Sequence, residues 1–459
     1  MSKRVDLLNG SIISPLIRLA LPIMGTSLIQ MAYNMIDMIW IGRIGAGAVA
    51  AVGAAGMFMW LSGGLMILAR MGGQVYTAQN LGAGNLEEAG KYAQGSLQLG
   101  VLFSLAYTIV MIAFCKPLIG FFNLNSPSVV QDAEAYLWLV SLGTIPSFLN
   151  QIFTALITTT GNSRTPFIVM AVGLVFNMVL DPLLIFGLGP IPAMGVAGAA
   201  IATTLAQVIV TVLFFLYIRR DDHLFAHVKW FQKPDWACYG AILKLGIPSA
   251  AQNCVFPLIS MVIARVIAGW GDDAVAVQKV GSQIESISWM TADGFSVAVN
   301  SFVAQNFGAG NFQRARKGYR VSMGAITVWG LFTSILLMTA GGFIFQIFIP
   351  DPAILPMGIS YLTILGICQM FMCWESVTSG AFSGFGHTLT PSLVSIVFTA
   401  ARIPGAILLS ATPLGLDGIW WSITLSSVCK GLLLVTLFFF FLKHLSRKSA
   451  NHPAQQRKR

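Results

Sequence analysis

The chain has 459 residues, of which 56% are hydrophobic and 10% charged, with a formal net charge of +10 and a mean hydropathy of +0.76. Soluble domains run near half apolar and roughly a quarter charged, so a water-soluble fold cannot use this much apolar surface. The basic excess would suit nucleic acid only if it formed a patch, and it is instead parcelled into short segments between apolar runs.

Those apolar runs are about 20 residues or longer, enough to cross roughly 30 Å of hydrocarbon at 1.5 Å per residue. In chain order they predict helices near 14–42, 48–72, 92–115, 132–156, 164–187, 195–218, 238–267, 275–301, 318–348, 357–381, 389–411 and 418–442. The first follows a basic start and has no early small-residue cleavage site, so it reads as a retained helix 1. A membrane barrel would need alternating segments of about ten residues, so the fold class is all-α and polytopic, with twelve transmembrane helices. The six cysteines include no CxxC pair and read as free thiols.

With both termini inside, the cytoplasmic segments collect Lys91, Arg164, Arg219, Arg220, Lys229, Lys233, the Arg314–Arg320 cluster and the ends of the chain, Lys3, Arg4 and Lys443 to Arg459. The opposite loops hold Arg43 and Lys116. This asymmetry sets the orientation, with an inner, multi-pass cell membrane as the expected location. Arg70 and Arg265, near predicted helix ends, read as snorkelling cations.

An internal repeat divides the chain. AQNLGAGN at Ala78–Asn85 recurs as AQNFGAGN at Ala304–Asn311, an offset of 226 that also carries Leu19 to Leu245, Pro22 to Pro248 and Gly45 to Gly271. An offset of 225 carries Tyr136-Leu137 to Tyr361-Leu362 and GNSRTP (Gly161–Pro166) to GHTLTP (Gly386–Pro391). The expected organisation is an N-terminal lobe at 1–217 (helices 1–6), a linker at 218–238, a C-terminal lobe at 239–442 (helices 7–12) and a basic tail at 443–459. Six is even, so both lobes enter the membrane in the same sense and are expected to be related by a pseudo-two-fold axis along its normal, with a cleft between them as substrate route.

Ionisable groups in hydrocarbon are costly and need a partner or a task. The repeat serves as a control: Asp37 maps onto Ile263, Asn177 onto Arg402 and Asp181 onto Ala406, so the shared scaffold does not require those polar groups. Asp37 and Asp181 lie at matching depth, roughly 7–9 Å below the outer surface. Asn177 and Asp181 share a helix face at i,i+4, as do Tyr33 and Asp37, and Tyr136 and Thr203 fall at similar height. Two carboxylates with amide, phenol and hydroxyl oxygens suit a proton or Na⁺, the latter at Asp37, Asn177 and Asp181. Pro22 in helix 1 is a hinge candidate, and Pro182 and Pro248 are further positions where a backbone bond is lost. The C-terminal half carries Lys279, Glu285, Asp293, Glu375, Arg402 and Lys430, read as a secondary charge network whose first role is structural.

The paired QN-(L/F)-GAGN and G-(N/H)-x-x-T-P loops and the 6+6 plan resemble the multidrug and toxic compound extrusion (MATE) family over nearly the whole chain, and the polar residues of helices 1 and 5 resemble its DinF-like branch. The resemblance implies a V-shaped pair of lobes exporting organic, often cationic, compounds against inward H⁺ or Na⁺. It also implies a cation site made by an Asp in helix 1, a Tyr in helix 4, an Asn and an Asp in helix 5 and a Thr in helix 6. Asp37, Tyr136, Asn177 and Asp181 match that pattern, with Thr203 or Thr204 as the last member. The NorM branch keeps a helix 10 carboxylate where this chain has Met372, with Glu375 about one turn away.

The chain has no GxxxxGK[ST] loop and no HExxH, which removes the sequence basis for ATP-driven transport or zinc-protease chemistry. The reading is therefore a secondary antiporter and not an enzyme. It needs no cofactor beyond the coupling ion, its partners are a small organic substrate and the bilayer, it binds no nucleic acid, and it is expected to act as a monomer. The alternative is a flippase for a lipid-linked precursor. The charge asymmetry yields a direct prediction: a cysteine replacing Ser446 should be labelled by impermeant maleimide only after the cytoplasmic side is opened. Labelling in intact cells would contradict the orientation.

Overall fold

The computed structural model describes residues 5–122, 124, 126–187, 192–229 and 233–451. Lys3, Arg4, Arg457, Lys458, Arg459 and residues 230–232 of the linker lie outside the described residues. The described residues form fifteen α-helices and one short 3₁₀ turn at Phe225–His227. They fall into two compact units, one of Val5 and Gly25–Ala250, the other of Asp6–Met24 with the described residues from Ala251 onward.

The first unit contains the later part of α1 (Ile13–Ile44), then α2 (Ala46–Gly82), α3 (Leu86–Ala113), the short α4 (Cys115–Gly120), α5 (Pro127–Leu142), α6 (Thr144–Thr159), α7 (Arg164–Phe186), α8 (Gly195–Ile218) and the start of α9 (Trp236–Ala268). The second contains the start of α1, the rest of α9, α10 (Asp272–Gly308), α11 (Phe312–Phe348), α12 (Leu355–Gly384), α13 (Leu389–Ala400), α14 (Arg402–Ser410) and α15 (Leu416–Asn451). Among the described residues ten spans are long and apolar enough to cross a membrane, and α5 with α6 makes an eleventh, bent by 45°. α10, with 37 residues, has the length to span but carries Lys279, Glu285 and Asp293; counting it gives twelve. Arg265 sits exposed in the last turn of α9, but Arg70 lies well inside α2, which runs past its predicted end at 72 to Gly82.

The repeated loops explain themselves locally. α2 and α10 end as the amides of Ala83 and Ala309 bond the carbonyls of Gln79 and Gln305, and the chain turns through Gly84 and Gly310 at φ 75° and 72°, a conformation natural to glycine. The next residues, Asn85 and Asn311, accept the amides of Glu88 and Arg314 at 3.2 Å and so cap α3 and α11. The motif is a helix stop joined to a helix start.

The helix interruptions have equally specific causes. Pro146 offers no amide to the carbonyl of Leu142, and the span divides at Gly143, where an added Cβ would stand 2.9 Å from Oγ1 of Thr204. A hydroxyl of α8 takes up a carbonyl at the bend, Thr204 donating to Leu139 at 3.2 Å. The repeat partners of Gly143 and Pro146 are Cys368 and Phe371, and α12 runs unbroken. The converse holds one span later: Pro404 interrupts α13 and α14 at Ala401, whereas its partner Val179 lies in the continuous α7. Helices α1, α7 and α9 remain continuous through Pro22, Pro182 and Pro248.

Close packing in the first unit rests on glycines where α2 crosses the start of α9. A Cβ at Gly72 would come within 2.3 Å of the Ile242 carbonyl oxygen, and one at Gly246 within 2.2 Å of that of Leu68. The repeat partners of these positions, Ala298 and Ala20, are also small and buried, as close helix approach requires. Gly246→Ala should therefore lower the thermal midpoint of the purified protein through overpacking of about 1–3 kcal/mol. Gly53→Ala, where a Cβ meets nothing within 4 Å, should leave the midpoint level or slightly raised. Equal midpoints for the two variants would show that this crossing is not tight.

Candidate functional site

One core cluster of the first unit is apolar, built from Ile41, Ala51, Val52, Met111, Leu137, Ile185 and Ala199. Set into it is a polar cluster. Asn177 and Asp181 of α7 are fully buried, and the Asn177 amide donates to Oδ1 of Asp181 at 3.0 Å. Asp37 of α1 is near enough for its charge to act on Asp181, and Tyr136 of α5 lies within electrostatic reach of both carboxylates and of Tyr33. The Tyr33 hydroxyl stands beside Thr203 and Gln207 of α8 without a hydrogen bond of normal geometry. All five residues expected from the sequence, Asp37, Tyr136, Asn177, Asp181 and Thr203, thus come together. Thr204 points elsewhere, to the bend carbonyl of Leu139.

Five buried oxygens in this cluster have no hydrogen-bond partner: the Tyr33 hydroxyl, Oδ1 of Asp37, Oδ1 of Asn177, Oδ2 of Asp181 and Oγ1 of Thr203. Each such group costs roughly 1–3 kcal/mol when left unpaired away from water. Both carboxylates contribute, and like charges so placed repel unless a proton or cation intervenes. A donor set of carboxylate, amide, phenol and hydroxyl oxygens fits either one.

Tyr33, whose position one turn before Asp37 was visible in the sequence, joins the cluster as a full member. Gln207 was missed, although Thr203, Gln207 and Thr211 at four-residue spacing mark one polar face of α8. That face continues inward: Asn150 donates to Oε1 of Gln207 at 2.9 Å and accepts from Thr211 at 2.7 Å. A cavity of about 10 Å³ bordered by Gln30, Tyr33 and Gln207 adjoins it, which is room for about one water.

The second unit provides the comparison. Ile263 and Ala406, the repeat partners of Asp37 and Asp181, belong to one buried apolar cluster with Ile259, Ile267, Ala274 and Ile419. The scaffold thus brings the same two positions into one neighbourhood twice, once apolar and once with two carboxylates.

The C-terminal charges form a network nearby in that unit. Glu375 pairs with Lys430 at 2.9 Å, with both side chains largely buried, and accepts from Ser395 at 3.0 Å. Arg402 donates to Ser426 and Ser427 at 2.8 Å each. Glu285 accepts from Tyr361 at 3.1 Å and Gln369 at 3.2 Å, within electrostatic reach of Arg402. Asp293 accepts from Ser376. Two acids (Glu285, Glu375) face two bases (Arg402, Lys430), and both acids are hydrogen-bonded. Such a set holds helices in place, and removing one partner of a buried pair costs about 3–5 kcal/mol. Lys279 is exposed and stands apart from it.

Comparison with known proteins gives the same picture. The MatE family model matches residues 22–183 and 248–408, one match in each half of the chain. The chain is 30% identical over 415 residues to the probable multidrug resistance protein NorM of Thermotoga maritima, covering 88% of this chain and 87% of that protein. It is 25% identical over 367 residues to an FAD transporter of Shewanella oneidensis, covering 80% of each. Crystal structures of MATE in the bent and in the straight conformation both superpose with a TM-score of 0.89 at 24% identity, covering 98% and 97% of this chain and all of theirs. Members of this family are transporters and not enzymes, and the fold is their two-lobe arrangement of membrane helices. The chain belongs to the MatE family of multi-pass membrane transporters.

Proposed function

We propose that the protein is a secondary active exporter of organic, mainly cationic, drugs or toxins, driven by inward movement of H⁺ or Na⁺ through the Asp37–Asp181 cluster. The observation that carries this reading is the contrast between the repeats. Where the second unit packs Ile263 and Ala406 in an apolar cluster, the first places two carboxylates in a cluster with five unpartnered buried oxygens, two of them the carboxylates' own. Nothing in the scaffold demands that expense, so the charges serve an exchange with the medium. The names of the relatives support multidrug export as the broad activity.

In this account Asp37 and Asp181 share one proton or one Na⁺, with Asn177 orienting Asp181 and Tyr33, Tyr136 and Thr203 offering further oxygens. Neutralising the pair removes its repulsion and favours closer approach of α1 to α7; release of the ion favours the alternative. Pro22, whose missing amide weakens α1 near where Gly25 passes the Phe167 ring, is the point about which α1 would bend. The network of Glu285, Asp293, Glu375 and Arg402 is assigned a structural role. The reading places the protein in the inner cell membrane with both termini and the 218–238 linker cytoplasmic, the lobes at 1–217 and 239–442 and the tail at 443–459. It acts as a monomer on a small organic substrate, without nucleic acid and without a cofactor beyond the ion. A lipid-linked precursor flippase is the competing reading, and the transport assay separates them.

In proteoliposomes, Asp37→Asn and Asp181→Asn should each reduce export of a fluorescent organic cation to the level of protein-free vesicles, under a pH gradient or a Na⁺ gradient, while both variants purify like the wild type. Unchanged ion-coupled efflux in both would assign the cluster a structural role, and transport of a lipid-linked sugar in place of the cation would favour the flippase. The two threonines should separate cleanly. Thr203→Val should weaken ion dependence with little change in thermal midpoint, whereas Thr204→Val should lower the midpoint by loss of a bond worth about 0.5–1.5 kcal/mol and spare the coupling. The reverse pattern would place Thr204 at the ion.

A further inference from the structure

A recess of about 550 Å³ lies in the second unit between the entry to α1 and the first turns of α11. Its lining is graded. Gln313, Lys317 and Val321 follow one another at four-residue spacing on α11, running from the polar start of that helix to its apolar stretch, and Ile12 and Ile13 close the other side beside Arg314. No acidic residue lines it.

Arg314 is committed to building the wall. Its guanidinium donates to the carbonyls of Leu7 at 3.2 Å, Asn9 at 2.9 Å, Gly10 at 2.7 Å and Ser11 at 3.2 Å, which fixes the segment leading into α1. Asn306 adds a bond to the Leu7 carbonyl at 3.1 Å, and Leu7 itself is buried. Asp6 accepts from Asn9 and from the amides of Leu8 and Asn9, and these bonds, with the charge of Arg314, hold its carboxyl below the usual range. Asp6 therefore answers part of the Arg314 charge from within the segment. Lys317 has no such answer: it is exposed, borders the recess and makes no ion pair among the described residues. From the recess an exposed apolar row, Ile13, Ile17 and Leu21, continues along α1 at four-residue spacing.

A cation at the mouth, polar groups beside it and an apolar row leading away match a molecule with an anionic head and a hydrocarbon tail. We propose that this recess binds an anionic phospholipid, its phosphate at Lys317 and Gln313 and one acyl chain along Ile13 and Ile17. Free inorganic phosphate shares the head chemistry but would gain nothing from the apolar row. Bound there, the lipid would brace the segment that Arg314 holds, at the start of the helix that carries Asp37.

The test is native mass spectrometry of the full-length protein with equimolar phosphatidylglycerol and phosphatidylcholine. The wild type should retain phosphatidylglycerol preferentially. Lys317→Gln, at an exposed position that folding does not need, should reduce that preference about fivefold, the effect of one basic residue near an anionic lipid. Lys443→Gln, a charge change near the far end of the chain, should leave it intact, and added inorganic phosphate should not displace the lipid. Equal preference in wild type and Lys317→Gln, an equal loss in Lys443→Gln, or displacement by inorganic phosphate would each overturn the proposal.

Discussion

Two carboxyl groups brought together on neighbouring helices set the central constraint of the first unit. An isolated charge inside hydrocarbon is among the costliest things a membrane helix can carry, and a second of the same sign beside it compounds the cost. Asp37 and Asp181 are brought together by different helices, and among the described residues Asn177 donates a hydrogen bond to Asp181. On the function proposed above, a proton or a small cation would relieve the repulsion between the two carboxylates. The bent α5–α6 span that carries Tyr136 is tied to α8, which carries Thr203, by the bond from Thr204 to the Leu139 carbonyl.

The repeat allows cause and accident to be told apart within one chain. Gly84 and Gly310, Asn85 and Asn311 do the same work in both halves, so they are scaffold. Gly143 and Pro146 bend one span while Cys368 and Phe371 leave its partner whole, and Pro404 interrupts a helix that Val179 does not. Differences of this kind are where the halves have specialised. The largest is chemical: carboxylates against Ile263 and Ala406, and a small amide at Asn177 against Arg402, which is anchored on Ser426 and Ser427.

The membrane class, the two-lobe helical plan and the five residues Asp37, Tyr136, Asn177, Asp181 and Thr203 were legible in the sequence, because hydropathy, repeat offsets and i,i+4 spacing report on helices and their faces. The helix interruptions at Gly143 and Ala401 were not, since a proline in an apolar run can be absorbed, as at Pro22 and Pro182, or can divide the span, depending on what takes up the freed carbonyl. The reach of α2 to Gly82 was also hidden: the helix leaves the apolar stretch and continues through Gln79 and Asn80 until Gly84 turns it. Gln207 was overlooked because one amide in an apolar helix carries little signal until Tyr33 and Asn150 are found beside it. The compact units likewise divide α1 and α9 internally, which hydropathy along a single helix does not register.

The central claim is that Asp37 and Asp181 together take up the coupling ion, and infrared difference spectroscopy of the reconstituted protein addresses it without any substrate. Spectra between acid and alkaline pH, and with and without Na⁺, should contain a carboxyl or carboxylate band that responds to the ion and disappears in both Asp37→Asn and Asp181→Asn. A response of wild-type size in either variant would contradict the account.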